Sequence, residues 1–392
     1  MSKSGPVQLK RLELENFRGF EKLALDFEDD LTVLVGANGA GKTTVLDAIV
    51  RVKKSQGLDR ADARIGASRV IIRLTARGVD GAAHDAGMDF KFPAEGGAGG
   101  SSWGSEIPQV FVYRVNRQVS DQTPDAGGTS YSRVWSATDL WYEASASYKD
   151  FFHWFKSLED MENEQIRYDS GSANPQLAVV RRAIMALLPE FNEIRVRRQM
   201  RSFSMKPVLM LRKGNVELPF DALSEGERTT IAMVGDIARR LVLLGDHEDP
   251  LQTSATVLID EIEQHAHPGW QRQILRRLRH TFPNVQLIAT THSPVIVSEV
   301  EARQLRVLKD FALVPSEHGP GRDANAVLED VFEVSPRTEE VQVWLNTLAA
   351  AIDGDEFEKA DRLLAELDVL VPGGADPDIV YYRNLLALMR AS

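Results

Sequence analysis

The stretch from Leu31 to Thr44, LTVLVGANGAGKTT, constrains this chain more than any other. Its first residues form a continuous apolar run, a buried strand by length and β-branching. Gly36, Ala37, Asn38, Gly39, Ala40, Gly41, Lys42 and Thr43 then complete the spacing G-x-x-x-x-G-K-[ST]. Past Lys42, the apolar residues Val45, Leu46, Ile49 and Val50 fall at helical spacing. A strand, a glycine loop and a helix start bring backbone N–H groups together on phosphate oxygens, and the helix dipole favours that charge. In such a loop Lys42 reaches the β- and γ-phosphates of ATP and Thr43 ligates Mg²⁺. Thr44 sits in the same first turn.

A second acidic and basic set lies far down the chain. ATVLIDE is a hydrophobic strand ending in Asp260-Glu261. A carboxylate at a strand end beside phosphates can hold the hydration shell of Mg²⁺, which suits Asp260. Its neighbour Glu261 can orient and polarise the attacking water. LIATTHSP ends another strand in His292, a contact for the γ-phosphate. In DALSEGERTT, Ser224 and Gly226 open a helix whose N-terminus suits an anion, and Ser224 with Glu227 also reads as a capping box.

The elements between these motifs predict an α/β fold with a mostly parallel sheet. VQLKRLELENFRGFEKLALDF alternates as a hairpin, while the stretch from Leu140 to Leu188 reads as mostly helical. Phe151, Phe152, Trp154 and Phe155 in that stretch are expected in the core. EIRVRRQM and PVLMLRKGNVEL read as strands.

Composition excludes several chemistries. There is no cysteine among the 392 residues, so no disulfide, thiolate metal site or catalytic thiol exists. No apolar run of about 18 residues is present to span a membrane, and the first residues lack the apolar core of a signal peptide. A cytoplasmic protein is the expectation. The net charge of −11 is uneven, because Phe311–Ser392 alone carries sixteen Asp and Glu against six Lys and Arg. Arg181–Lys213 holds nine Lys and Arg against two Glu. Arg195, Arg197, Arg198, Arg201 and Arg212 are therefore candidates for contact with DNA.

Gly36–Thr43, Leu223–Glu227, Leu258–Glu261 and His292 resemble, in order and spacing, the Walker A, signature, Walker B and switch-histidine elements of the ABC-type ATPases. LKRLELENFRGF resembles the entry strand of the RecF, SMC, Rad50 and OLD branch. The resemblance implies that Arg18, within Asn16–Gly19, lies near the nucleotide and that Gln118 serves as a Q-loop. YKDFFHWFKSLEDMENE and GRDAN narrow it to the PtuA-like ATPases of Septu and retron anti-phage systems, which work with a separate HNH nuclease.

That family implies an ABC-type nucleotide-binding domain over 1–310, with a mixed or parallel sheet core, an antiparallel β subdomain and an inserted helical subdomain around 120–190. An acidic helical tail over 311–392 follows. The resemblance also implies slow ATP hydrolysis. Two chains, or a larger homo-oligomer, would close head to tail, each lending Ser224 and Gly226 to the other's nucleotide. Three readings follow: a regulatory ATPase with a PtuB-like nuclease partner, a RecF-like DNA-repair ATPase, or the nucleotide-binding subunit of a transporter. The last needs a membrane partner that nothing in the chain suggests. Asp353-Gly354-Asp355 falls between predicted helices and reads as a turn, not as a nuclease centre.

Overall fold

The computed structural model describes residues 7–55, 57–92, 99–104, 107–115, 136–137, 144–168, 173–201, 204–245, 247–315, 327, 331–332, 335, 337–371 and 376–391. The chain divides into two units, Met1–Ala324 and Asn325–Ser392. The expected boundary at 310 thus falls inside the first unit.

In chain order the first unit runs β1 (Gln8–Phe17), β2 (Phe20–Asp26), β3 (Leu31–Val35), α1 (Lys42–Lys54), β4 (Arg69–Arg77), β5 (Ala83–Lys91), β6 (Gly99–Gly104) and β7 (Val110–Tyr113). It continues with α2 (Ala144–Tyr168), α3 (Pro175–Leu187), β8 (Phe191–Arg201), β9 (Ser204–Lys213), β10 (Val216–Pro219) and α4 (Glu225–Leu244). Then come β11 (Ala255–Ile259), α5 (Pro268–Thr281), β12 (Val285–Thr291), the short α6 (Pro294–Val297), β13 (Leu305–Lys309) and β14 (Ala312–Val314).

The central sheet has the order β14-β13-β3-β12-β11-β7. β13, β3, β12, β11 and β7 are parallel, and β14 closes the edge antiparallel to β13. Every residue of β3, β7, β11 and β12 is buried, as expected for parallel strands covered on both faces. The crossovers put β3 and β11 on either side of β12, so three separate carboxyl ends open at one edge. Ligands bind at such ends in open α/β sheets.

A second sheet, β2-β1-β4-β5-β6, is antiparallel throughout. Its inward residues Leu12, Leu14, Ile72 and Leu74 share one core with Val45, Leu46 and Ile49 of α1. The Gln286 carboxamide locks the two sheets together. Although buried in β12, it accepts from Leu9 N (2.9 Å) and donates to Leu9 O (2.8 Å) and Glu28 O (2.7 Å).

The third sheet, β8 to β10, belongs with α2, α3 and α4. Phe151, Phe152, Trp154 and Phe155 on α2 are fully buried, as their apolar character predicts. Asp236 of α4 is fully buried too. Its carboxylate accepts from Arg239, Arg240 and the Tyr113 hydroxyl, the last at 2.9 Å, which ties α4 to the end of β7. Burial pushes this carboxyl up, but Arg240 and Arg239 outweigh it and hold it below its usual range.

The second unit contains α7 (Glu339–Asp353), α8 (Phe357–Leu370) and α9 (Pro377–Ala391). They pack on Leu345, Leu348, Leu364, Leu367 and Leu386, with Trp344 and Leu363 partly buried alongside. Gly354 caps α7 and Asp355 turns the chain with φ 56°. The first unit is an α/β fold, a mixed sheet core with an antiparallel β subdomain and the helices α2 and α3 inserted between β7 and β8.

Candidate functional site

The glycine loop leaves the end of β3 and enters α1 through Gly41, whose φ of 101° lies in the left-handed region. A side chain there would be strained by backbone conformation, and its β-carbon would come within 2.6 Å of the Phe20 ring. Lys42 is buried and folds back on its own loop, donating from Nζ to Gly36 O at 2.7 Å and Ala37 O at 3.0 Å. The loop carbonyls thus hold the ammonium at the mouth of the helix.

β11 delivers Asp260 and Glu261 to the same place. The Thr43 hydroxyl lies 3.0 Å from Asp260 Oδ2. Thr290, on neighbouring β12, secures both acidic residues: its hydroxyl donates to Asp260 Oδ1 at 2.7 Å and accepts from Glu261 N at 2.7 Å. Glu261 has φ 48°, a conformation that costs a non-glycine residue about 1 kcal/mol or more. The bond from its amide to Thr290 helps to fix that turn. Thr290 was not singled out from the sequence, where only its place in ATTHS, beside His292, could have flagged it.

His292 leaves the end of β12 between the loop and the acids. Its Nδ1 is 3.4 Å from Lys42 Nζ and its Nε2 is 3.7 Å from Glu261 Oε1. Its backbone amide donates to the Glu263 carboxylate, a second contact that sequence reasoning missed. Burial and the neighbouring Lys42 charge lower the imidazole pKa, so the ring is held neutral and can both donate and accept a hydrogen bond.

These groups line a cavity of about 250 Å³. Asn38, Gly39, Gly41, Lys42, Thr43 and Thr44 form one side. Asp260, Glu261 and His292 face them, and Phe311 closes the edge. Of the loop residues named from the sequence, Ala37 is exposed at the loop tip and Ala40 is buried beneath it.

Ser224 and Gly226 do not line this cavity. Ser224 is the N-cap of α4 in a full capping box: its hydroxyl accepts from Glu227 N, and Glu227 accepts from Ser224 N at 3.0 Å. Gly226 packs so closely on the segment after the acids that a β-carbon would come within 2.3 Å of His265 O. Arg18 is also absent from the lining. Its guanidinium is held by Asp47 of α1 and by Asp62. Gln118 and Gly321–Asn325 lie outside the described residues. In the basic third sheet, Arg195 and Arg197 both pair with Glu217, and Arg212 pairs with Glu193.

Comparison with known proteins finds ATPases. A family model described as "AAA domain, putative AbiEii toxin, Type IV TA system" matches residues 112–298, and a second, "AAA domain", matches 11–183. The "Retron Ec83 probable ATPase" of Escherichia coli is 28% identical, the match covering 86% of this chain and 78% of that protein. The "Septu protein PtuA" of Bacillus thuringiensis is 21% identical, over 76% of this chain and 75% of that protein. RecF of Roseiflexus castenholzii is 42% identical over 72 residues, 18% of this chain and 17% of that protein. With the loop, the acidic pair and the histidine assembled on this fold, the chain is an ATPase, similar over most of its length to the retron and Septu ATPases and over a short stretch to RecF.

Proposed function

We propose that this chain is the regulatory ATPase of an anti-phage complex, and that ATP closes two copies head to tail. The observation that carries the reading is the separation of Ser224 and Gly226 from the cavity their own chain builds. The N-terminus of α4 suits a γ-phosphate, and in the closed pair that phosphate would belong to the partner copy, as in a two-fold symmetric interface.

Within one copy the residues suit ATP and Mg²⁺. Thr43 Oγ1 and Asp260 are adjacent hard oxygen donors, the small protein contribution that Mg²⁺ takes beside phosphate oxygens. Bound there, the cation would offset phosphate charge. Lys42 would transfer its donors from the loop carbonyls to phosphate. Glu261 would orient the attacking water, and neutral His292, between Lys42 and Glu261, would donate to the γ-phosphate. Arg18 would reach phosphate only by leaving Asp47 and Asp62.

The effector in this reading is a separate nuclease of the HNH type, with the acidic tail as its dock. A RecF-like role on DNA has less support, since three of the arginines held out for it already pair with Glu217 and Glu193.

The test is sedimentation of Glu261→Gln with and without ATP. ATP should convert monomer to dimer, and adding Ser224→Arg should abolish that dimer while ATP still binds. A dimer that survives Ser224→Arg rejects the head-to-tail reading. Retained binding of a co-expressed nuclease after deletion of 355–392 rejects the docking role of the tail.

A further inference from the structure

We propose that Phe311 is the nucleobase platform of this site, an aromatic side chain that recognises the purine of ATP while the loop recognises its phosphates. The inference rests on the reading that ATP occupies the loop.

The backbone gives the first reason. β13 and β14 are joined by Asp310 and Phe311 alone, with Lys309 paired to Ala312. Their φ angles are 48° and 59°. A two-residue hairpin of this hand favours Asn-Gly or Asp-Gly. Asp310 fits that preference, but Phe311 stands where glycine would be unstrained. Left-handed backbone under a bulky side chain is retained where the surroundings hold that side chain for a purpose.

The position of the ring gives the second reason. Phe311 is half-buried and borders the cavity beside Gly39, Gly41 and Thr44. It is braced from behind. A β-carbon on Gly19 would come within 2.2 Å of the ring and one on Gly41 within 3.0 Å. Phe20 meets the ring edge-on, with centroids 5.4 Å apart and planes at 88°. The glycine of the β1–β2 turn, the last loop glycine and Phe20 together fix where the ring stands.

Chemistry gives the third reason. Lys42, Thr43, Asp260, Glu261 and His292 all suit phosphate, cation or water. His292 is the other flat ring in the lining, but its two nitrogens face Lys42 and Glu261, which leaves Phe311 as the ring with an apolar face for a base. Base–aromatic stacking is favourable and tolerant of sequence chemistry, because every base offers a π-face.

The experiment compares ATP with inorganic tripolyphosphate, which carries the phosphates and no base, by calorimetry on the full chain with Mg²⁺. Phe311→Ala and Phe311→Gly should weaken ATP about tenfold, equivalent to about 1.4 kcal/mol, and leave tripolyphosphate affinity unchanged. Phe311→Gly relieves the left-handed strain that Phe311→Ala keeps, so agreement between the two variants ties the loss to the ring and not to the turn. Phe311→Trp should restore ATP affinity, and ATP but not tripolyphosphate should quench its fluorescence. Equal losses for both ligands would mean that the ring only props the loop and would overturn the proposal, as would no loss at all. If the wild-type chain binds neither ligand, or Lys42→Ala binds both normally, the nucleotide reading fails and takes this proposal with it.

Discussion

Thr43 Oγ1 and Asp260 Oδ2 stand 3.0 Å apart although 217 residues separate them in the chain. The hydroxyl opens α1 and the carboxylate closes β11, and each would lose its geometry without the other element. Asp260→Asn is therefore expected to keep the fold and raise the Mg²⁺ concentration needed for half-maximal hydrolysis by about 10- to 100-fold, the usual cost of weakening a metal's protein contacts. Phosphate release across a Mg²⁺ titration checks it. An unchanged requirement would remove Asp260 from the cation.

Glu261 is held on a left-handed backbone with its amide on Thr290. Glu261→Gln keeps the shape and removes the carboxylate proposed as the base. Turnover should fall by about 10²- to 10⁴-fold, the range for loss of a general base, with ATP affinity within about threefold of wild type. Single-turnover hydrolysis and direct binding separate the two quantities.

His292 is held below its ordinary value of 6.5 by burial and by Lys42. Near that value an unfolded chain binds a proton that the folded chain refuses, so unfolding gains protons as the pH falls. The stability contributed by neutral His292 is present above pH 6.5 and is lost as the pH drops through the folded pKa. The melting temperature of wild type should thus decline more steeply below pH 6.5 than that of His292→Gln. Parallel curves for the two proteins from pH 5 to 8 would contradict this.

Asp236 keeps two buried guanidiniums compensated. Asp236→Ala should destabilise the first unit by about 3–5 kcal/mol, the cost of leaving buried charge without its partner. Denaturant unfolding measures it. Tyr113→Phe, which removes only one hydrogen bond to the same carboxylate, should cost about 1 kcal/mol.

Much of the site was legible because its motifs are local. The loop from Gly36 to Thr43 needs only glycine backbone freedom and a following helix, both written in consecutive residues. Asp260, Glu261 and His292 each follow an apolar run that could only be a buried strand. Ser224 could be read as a cap because a capping box spans four neighbours, and the structure has that box.

Phe311 was not legible. Counted with the acidic tail, it lies in the β13–β14 turn instead, because Ala312–Val314 pair back onto β13 at the sheet edge. Strand order is set by non-local pairing, which no local pattern announces. Thr290 and Glu263 escaped for a related reason: each acts by a hydrogen bond to the backbone of another strand end. A threonine in a strand and a glutamate after one have many commoner uses.

The sequence by itself determined the chemistry: a phosphate loop, an acidic pair, a histidine and a capped helix, each fixed by residues within a few positions of one another. Only the tertiary structure decided which of these meet. The parallel order β13-β3-β12-β11 brings four carboxyl ends to one edge and so gathers the loop, Phe311, His292 and the acids around one cavity. The same packing carries Ser224 elsewhere, because α4 is fixed by its own buried face and by Asp236 on Tyr113, not by the phosphate loop.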